Sequence, residues 1–283
     1  MVQSNAHLNA GWSLSASVVI YRDFDDCTRR LVLRAAEKCS RVWLIDNTPV
    51  PAVSNQTIEQ LSQNVVYIPV GRNIGYGAAH NLALEQVPNS RKHIHFILNP
   101  DVVVANGFFR EMARLFRDHE VGMAMPRVLN ADGTQQPLAR RVPSPFDILK
   151  RMVKPYLKLT DGRFECEDLD WKVSNLVPIV SGCCMVVRGS GLSRVGLFDT
   201  RFFMYFEDYD LSRRFAEVYR VIAASSPTII HQHGAGSRRS LRLFAHHLLS
   251  AYRYFAKHGW FRDQARVELN RLVHEYRPDA HSQ

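Results

Sequence analysis

The sequence predicts an α/β protein with a mostly parallel central sheet flanked by helices, and three features carry that expectation. Short β-branched or apolar runs alternate with helical patterns through the first third of the chain. Two of those runs stop abruptly at an acid: residues 42–45 are closed by Asp46-Asn47-Thr48-Pro49, and residues 95–98 by Asn99-Pro100-Asp101. A glycine-rich segment, Gly71-Arg72-Asn73-Ile74-Gly75-Tyr76-Gly77, stands between a strand at 65–68 and a helix at 78–86. Open α/β sheets bind ligands at the C-terminal edge of their strands, so function is expected in these loops.

At 283 residues the chain accommodates one large α/β domain or two small ones, and 46% hydrophobic content suffices for a core. Its longest apolar stretch, 176–187, is interrupted by Pro178, Ser181 and Gly182 and is too short to span a bilayer. Residues 1–12 have neither a basic start nor an apolar block, so no secretion signal is expected and the protein is placed in the cytoplasm. Five cysteines, an odd number without any C-x-x-C pair, argue against a disulfide framework and against a zinc site. The net charge of +9 asks for an anionic partner: a nucleotide diphosphate, an acidic lipid surface or a nucleic acid. Residues 231–283 hold nine Lys and Arg against four Asp and Glu, which concentrates the excess there.

Residues 17–21 read as the first strand, and Asp25 or Asp26 can cap a helix running to about Cys39. The strand at 42–45 completes a parallel strand–helix–strand unit and leaves Asp46 at its C-terminal end. After the strand at 65–68, glycines let backbone approach a phosphate or sugar, and the helix N-terminus that follows favours negative charge. The glycine spacing differs from the dinucleotide-binding fingerprint. Pro100 cannot donate to a ladder, so the strand at 95–98 must end there and leave Asp101 on a loop. Asp101 is thereby a candidate ligand for Mg²⁺ or Mn²⁺, which bind through one or two carboxylates plus substrate phosphates. An ordinary strand-ending turn accounts for the same residues.

Phe108, Met112, Leu115 and Phe116 mark an amphipathic helix whose aromatic stripe reads as core, and residues 121–126 form a short strand. The proline-rich, basic stretch 137–172 reads as a solvated loop. Within it Leu149, Met152, Val153, Tyr156 and Leu157 also fit a basic amphipathic helix that Pro155 would shorten. Residues 177–187 return to strand character. In 196–214 an aromatic run immediately precedes Glu207, Asp208 and Asp210. Carboxylates desolvated in this way can act as general bases, and the same acids suit the first turn of a helix through Phe215. The last strand, 221–230, runs into His231-Gln232-His233, of which at most one histidine is expected to face a metal or phosphate. Leu241, Phe244, Leu248, Tyr252 and Phe255 form a helical stripe with basic borders that can pack on the domain or lie on an anionic membrane.

With these pieces in order, residues 17–260 resemble the family-2 glycosyltransferases, and within them the rhamnosyltransferase-like enzymes of bacterial surface-polysaccharide assembly (O-antigen, lipopolysaccharide). The motifs that carry the resemblance are Asp46-Asn47, Asn73-x-Gly75-Tyr76-Gly77 with Asn81, Leu98-Asn99-Pro100-Asp101, Gly196-x-Phe198-Asp199, and the run from Phe202 through Glu207-Asp208-Tyr209-Asp210-Leu211. The resemblance implies a GT-A fold: one Rossmann-like nucleotide-sugar-binding and catalytic domain, expected over 1–236, with a basic helical extension over 237–283. It also implies inverting transfer from a nucleotide-diphospho-sugar to a glycan or polyprenyl-linked acceptor.

Carried over residue by residue, the resemblance puts Tyr21 and Asp46 at the base, and Arg72, Asn73 and Gly75 at the ribose and diphosphate. Asp101 would sit at the metal, with Asn99 as a donor-side contact. The family's usual D-x-D is Asn99-Pro100-Asp101 here, which leaves one carboxylate. His231 or His233, with Ser237 and Arg238, would face the phosphates, and His233 and Arg238 are the residues assigned. Asp208 would take the acceptor's proton, with Glu207 the alternative base. The aromatic run from Phe202 to Phe206 suits the methyl of a 6-deoxy sugar, which with the resemblance points to dTDP-L-rhamnose; UDP-galactose or UDP-N-acetylglucosamine are the alternative donors. A nucleotidyltransferase or a non-catalytic sugar-binding module would share parts of the pattern. No nucleic-acid-binding motif is present.

Overall fold

The computed structural model describes residues 11–153, 163–232 and 241–276. The first half alternates as expected: β1 (Ser13–Ile20), α1 (Asp26–Ala36), β2 (Arg41–Asp46), α2 (Asn55–Glu59), β3 (Val65–Pro69), α3 (Tyr76–Leu84) and β4 (His93–Leu98). There follow β5 (Val102–Val104), α4 (Phe108–Leu115), β6 (Val121–Leu129), α5 (Pro145–Val153), β7 (Asn175–Leu176), β8 (Cys184–Arg188) and α6 (Gly189–Val195). The chain continues with α7 (Glu207–Ala216), β9 (Arg220–His231), α8 (Leu241–His258), α9 (Gln264–Arg271) and β10 (His274–Glu275). The strands make one sheet in the order β10-β7-β9-β6-β8-β4-β1-β2-β3, with β5 on β9. The ladders β4-β1-β2-β3 and β6-β9 are parallel, and β8 joins them by antiparallel pairing to β4 and β6.

Local chemistry explains the element ends. Asp25 caps α1, its carboxylate accepting from the Thr28 N–H at 2.8 Å. Of the strand expected over 177–187 only the end forms β8, and the short β7 stops before it begins. Pro178 has no N–H, and beyond it Val180 and Gly182 direct their backbone groups to the Ser212 hydroxyl, the Asp208 carboxylate and the Tyr76 phenol rather than to a neighbouring strand. The solvated loop expected over 137–172 contains α5, whose start is fixed by Ser144 and Asp147 bonding each other's backbone and side chain. Residues 154–162, including Tyr156 and Leu157, lie outside the described residues.

The C-terminal helices are clamped to α7. Asp210, with no exposed side-chain surface, pairs with Arg214, Lys257 and His258, while Arg213 forms a buried two-pronged pair with Asp263 at 2.7 Å. Both pairs are hydrogen-bonded on two sides, as a buried ion pair must be to offset its desolvation.

Behind the sheet's parallel half runs a single file of buried polar groups. Ser13 Oγ meets His93 Nδ1, His93 Nε2 meets Ser15 Oγ, Ser15 meets His95, His95 meets Ser17, and Ser17 meets His80, each contact 2.7–2.9 Å. Alternate residues of β1 and β4 share this face, and α3 covers it with His80. Burial pushes all three imidazoles down, His80 to about 3 and His93 to about 4. Neutral imidazoles and hydroxyls each donate once and accept once along the file, so its hydrogen bonds run in one direction.

These histidines set the protein's acid stability. Above their ordinary value both folded and unfolded states are neutral. Below it the unfolded chain takes up protons that the folded chain refuses, so stability is lost as pH falls. The expected slope is up to about 1.4 kcal/mol per pH unit for each imidazole below roughly pH 6.5. Melting temperatures measured between about pH 7 and pH 5 should fall steeply, and less steeply for His95→Gln, which can keep both hydroxyl contacts. An unchanged slope in that variant would remove the histidine file as the cause.

Candidate active site

The site forms at the C-terminal edge of β1, β2, β3 and β4. Just past β1, Tyr21 is 44% exposed, and the Arg22 guanidinium lies over its ring at 5.0 Å. The Asn73 amide and Arg22 hold the Tyr21 phenol below its ordinary value. Arg72 is exposed beside them. Asp46 is turned inward at 1% exposure. Its carboxylate accepts from the Tyr67 hydroxyl at 2.7 Å, the Ala52 N–H at 2.6 Å and the N–H and hydroxyl of Thr48, so it ties down the loop after β2.

The next residue, Asn47, joins that loop to the glycine segment: its amide donates to Asn73 Oδ1 and the Gly75 carbonyl, and accepts from the Ile74 N–H. Gly75 itself has φ +93°, and a Cβ there would overlap the Phe203 carbonyl oxygen. That carbonyl accepts from the Tyr76 N–H at 3.0 Å, seating the aromatic loop before α7 on the N-terminus of α3. Asn81 braces the same contact, bonding both backbone groups of Phe198. Tyr205 and Phe206 then adopt left-handed φ values of 66° and 65°, strained for aromatic residues and held by this docking. Phe202 and Phe206 are core residues, while Phe203 and Tyr205 remain partly accessible.

At the start of α7 lie Glu207 and Asp208. Glu207 is 7% exposed, and its Oε2 has no hydrogen-bond partner among the described residues. Burial first, then the neighbouring Asp208 carboxylate, pushes Glu207 well up. Asp208 is also pushed up by burial, opposed by the Gly182 and Tyr209 N–H groups on its two oxygens and by Arg140 and Arg151 nearby. Of the two, Asp208 is therefore the group held as the carboxylate and Glu207 the one held as the acid. Arg140 is 6% exposed, lies over the Tyr209 ring at 5.6 Å, and has no partner for its Nε among the described residues; Arg151 donates to the Tyr209 hydroxyl.

Asp101 stands across the Gly182-Cys183 backbone from this acid pair. The Cys183 carbonyl accepts from the Asn99 N–H, while the adjacent Gly182 N–H serves Asp208. His231 Nε2 faces Asp101 Oδ1 at 3.3 Å. Gln136 donates through Nε2 to the His231 carbonyl and to Asn130, so its Oε1 is the acceptor for His231 Nδ1. This turns His231 Nε2 toward Asp101 Oδ1, a carboxylate oxygen with no hydrogen-bond partner among the described residues. One carboxylate and one imidazole so opposed fit a divalent cation whose remaining ligands are diphosphate oxygens and water. No third His, Cys, Asp or Glu joins them among the described residues.

Of the residues expected from the sequence, Tyr21, Asn73 and Gly75 meet around one loop cluster, and Asp101 and Asp208 flank one backbone segment. Asp46 lies beneath the loop rather than on its surface. His233, Ser237 and Arg238 lie outside the described residues. His231, Gln136, Tyr76, Arg140 and Arg151 were not assigned site roles, although His231 had been weighed against His233.

A loop-lined strand edge, an opposed carboxylate–imidazole pair and a desolvated acid pair on this sheet fit a glycosyltransferase of GT-A architecture. Residues 13–243 match the family described as glycosyltransferase like family 2, and the chain belongs to it. The chain is 28% identical over 258 residues to the N-acetylglucosaminyl-diphospho-decaprenol L-rhamnosyltransferase of Mycobacterium tuberculosis, covering 83% of this chain and 81% of that protein. It is 25% identical over 170 residues to the low-salt glycan biosynthesis hexosyltransferase Agl10 of Haloferax volcanii, covering 57% of this chain and 51% of that protein. Among solved structures, GalNAc-T7 with UDP, GalNAc and Mn²⁺ superposes with a TM-score of 0.58 at 13% identity, over 78% of this chain and 44% of that one.

Gly75→Ala tests the docking of the aromatic loop. The combination of φ 93° with ψ 165°, a region essentially confined to glycine, alone costs about 1–3 kcal/mol for a residue with a Cβ, and the overlap with Phe203 must push the loop away. The expected result is a modest drop in melting temperature with a disproportionate loss of turnover, read by thermal melts and steady-state kinetics on the same preparation.

Proposed function

We propose that the chain is an inverting glycosyltransferase that moves L-rhamnose from dTDP-L-rhamnose to a hydroxyl of a glycan or polyprenyl-linked acceptor in cell-surface polysaccharide assembly. One observation carries the reaction type: the Asp101–His231 pair and the Glu207–Asp208 pair lie on either side of Gly182-Cys183, so a donor diphosphate and an acceptor hydroxyl can meet there. The rhamnose and the lipid-linked acceptor are supported by the mycobacterial relative's name and by the accessible rings of Phe203 and Tyr205, which suit an apolar methyl.

In this reading Tyr21 stacks on or borders the base, and the loop that Asp46 organises receives the nucleotide. Arg72, Asn73 and the Gly75 backbone hold the ribose and diphosphate, with Asn99 on the donor side; Arg238 and His233 are assigned to the phosphates from the sequence alone. Asp101 and His231 would hold Mg²⁺ or Mn²⁺, which neutralises charge developing on the departing diphosphate. Asp208 removes the acceptor's proton as the hydroxyl attacks the anomeric carbon from the face opposite the diphosphate. Glu207, kept protonated, can donate a hydrogen bond that orients the acceptor. Arg140 and Arg151 keep Asp208 ionised between turnovers.

A panel of dTDP- and UDP-sugars, assayed for released nucleotide diphosphate with and without EDTA, tests the assignment. dTDP-L-rhamnose should turn over fastest, with a margin of roughly 10–200-fold where a methyl contact alone discriminates. Far faster turnover of UDP-galactose or UDP-N-acetylglucosamine would overturn the rhamnose assignment and leave the reaction class intact. Full activity in EDTA would remove the cation.

The base assignment has its own test. General-base assistance contributes about 10²–10⁴-fold, so Asp208→Asn should lower kcat by about that factor with donor Kd nearly unchanged. Glu207→Gln, isosteric with a protonated Glu, should be milder. A fully active Asp208→Asn protein with only a lower Tm would mean that these acids serve the helix start alone.

A further inference from the structure

Helix α8 carries two apolar faces. The inner one, formed by Ala251, Tyr254 and Phe255 with Ser250, is buried on the domain. The outer one consists of Leu241, Phe244, Ala245, Leu248, Leu249 and Tyr252, spaced i, i+3, i+4, i+7, i+8 and i+11, and every member is exposed, Leu241 at 86% and Tyr252 at 60%. The stripe expected from the sequence thus packs inward only at Phe255. Most of the remaining apolar surface points away from the protein, which a soluble surface rarely tolerates without an occupant.

The patch extends past the helix. Tyr252 meets the Trp260 ring at 5.8 Å, and Phe261, 67% exposed, lies 6.0 Å from Phe146 of α5, whose turn also exposes Leu149. Residues 241–262 contain no acid, and exposed Arg242, Arg262 and Lys150 stand at the borders. The acid on this side of α5, Asp147, is turned back onto Ser144. An apolar strip with aromatic edges and a basic, acid-free border complements an anionic bilayer. A second copy of the chain docked on the same face about a two-fold axis would bring its basic border against this one. No helix among the described residues is long and apolar enough to cross a membrane, so the geometry is that of a helix lying on the surface.

On its inner side α8 touches the catalytic loop: the Ser250 hydroxyl donates to the Met204 carbonyl at 2.8 Å, and the His246 ring stacks on Phe203 at 4.8 Å. We propose that the outer face of α8, continued by Trp260, Phe261 and Phe146, is a docking surface for an anionic lipid bilayer, and that a lipid-linked acceptor reaches Asp208 from that side. The second half rests on the transferase reading above; the docking half does not.

The test uses the full chain with vesicles of phosphatidylcholine alone or mixed with phosphatidylglycerol, at low and high salt. Co-flotation with the mixed vesicles, weakened by salt and weak on phosphatidylcholine, is expected. Leu248→Ser/Tyr252→Ser should reduce it by at least about tenfold with an unchanged Tm and unchanged donor hydrolysis in solution. In the same variant, transfer to a polyprenyl-linked acceptor in vesicles should fall with the flotation. Equal binding to both vesicle types, no flotation at low salt, or a solution dimer that the double variant dissolves would overturn the docking surface. Flotation without transfer of any sugar would keep the surface and remove the transferase reading, which separates the two.

Discussion

The active-site edge depends on one close approach between backbones, that of the Phe203 carbonyl to the N-terminus of α3. The contact requires Gly75, because any Cβ would occupy the position of the carbonyl oxygen, and it satisfies the Tyr76 N–H that a helix start leaves without a partner. From it follow the strained turn at Tyr205 and Phe206, the entry of α7, and the burial of Glu207. Tyr76, anchored by the same contact, sends its hydroxyl to the Gly182 carbonyl at 2.5 Å, and the Gly182 N–H faces Asp208. The donor-side loop and the acceptor-side acid are thereby parts of one hydrogen-bonded unit.

Around that unit, environment rather than residue type gives each carboxylate its work. Asp46 is enclosed by four donors and shapes a loop. Asp210, as deeply buried, is matched by Arg214, Lys257 and His258 and fastens the C-terminal helices. Asp101 turns toward a histidine an oxygen with no hydrogen-bond partner among the described residues, an arrangement that suits a cation better than a fold contact. Burial and the neighbouring Asp208 push the Glu207 carboxyl well up, and its Oε2 has no hydrogen-bond partner among the described residues, so neutrality there spares Asp208 a second adjacent charge. A like-charged pair at one helix start is tolerable only because one member is neutral.

Signals confined to a few neighbouring residues were legible in the sequence. The strand ends at Asp46 and Asp101, the glycine segment before α3, and the acids opening α7 all declare themselves by local chemistry, and the parallel half of the sheet follows from their alternation. What was not legible depends on distant partners. Asp46 reads as a surface carboxylate until Tyr67 and Ala52 are seen closing over it. His231 is turned toward Asp101 by Gln136 and by the pairing of β5 with β9, neither visible in a histidine spacing. Arg140 and Arg151 stood in a proline-rich stretch whose composition reads as solvated, and they come to the acid pair only because α5 and the strand bridge at Ile179 carry them there.

Periodicity has the same limit on α8. Its sequence announces a helix with apolar stripes, but two stripes compete, and hydrophobicity alone favours the leucine-rich one as the buried face. The buried charges on α7 decide otherwise. Lys257 and His258 join Arg214 on Asp210 only when they point inward, which fixes the rotation of the helix and turns Leu241, Phe244 and Leu248 outward, while Asp263 beyond the helix joins Glu217 on Arg213. Breaking a buried pair by rolling the helix would cost about 3–5 kcal/mol, comparable to what burying two leucines would return at about 1.5–3 kcal/mol each. The ion pairs thus hold the apolar face exposed and fix its direction relative to Asp208, since both are anchored on α7. A surface set in this way presents the acid pair at a constant height above whatever the leucines rest upon.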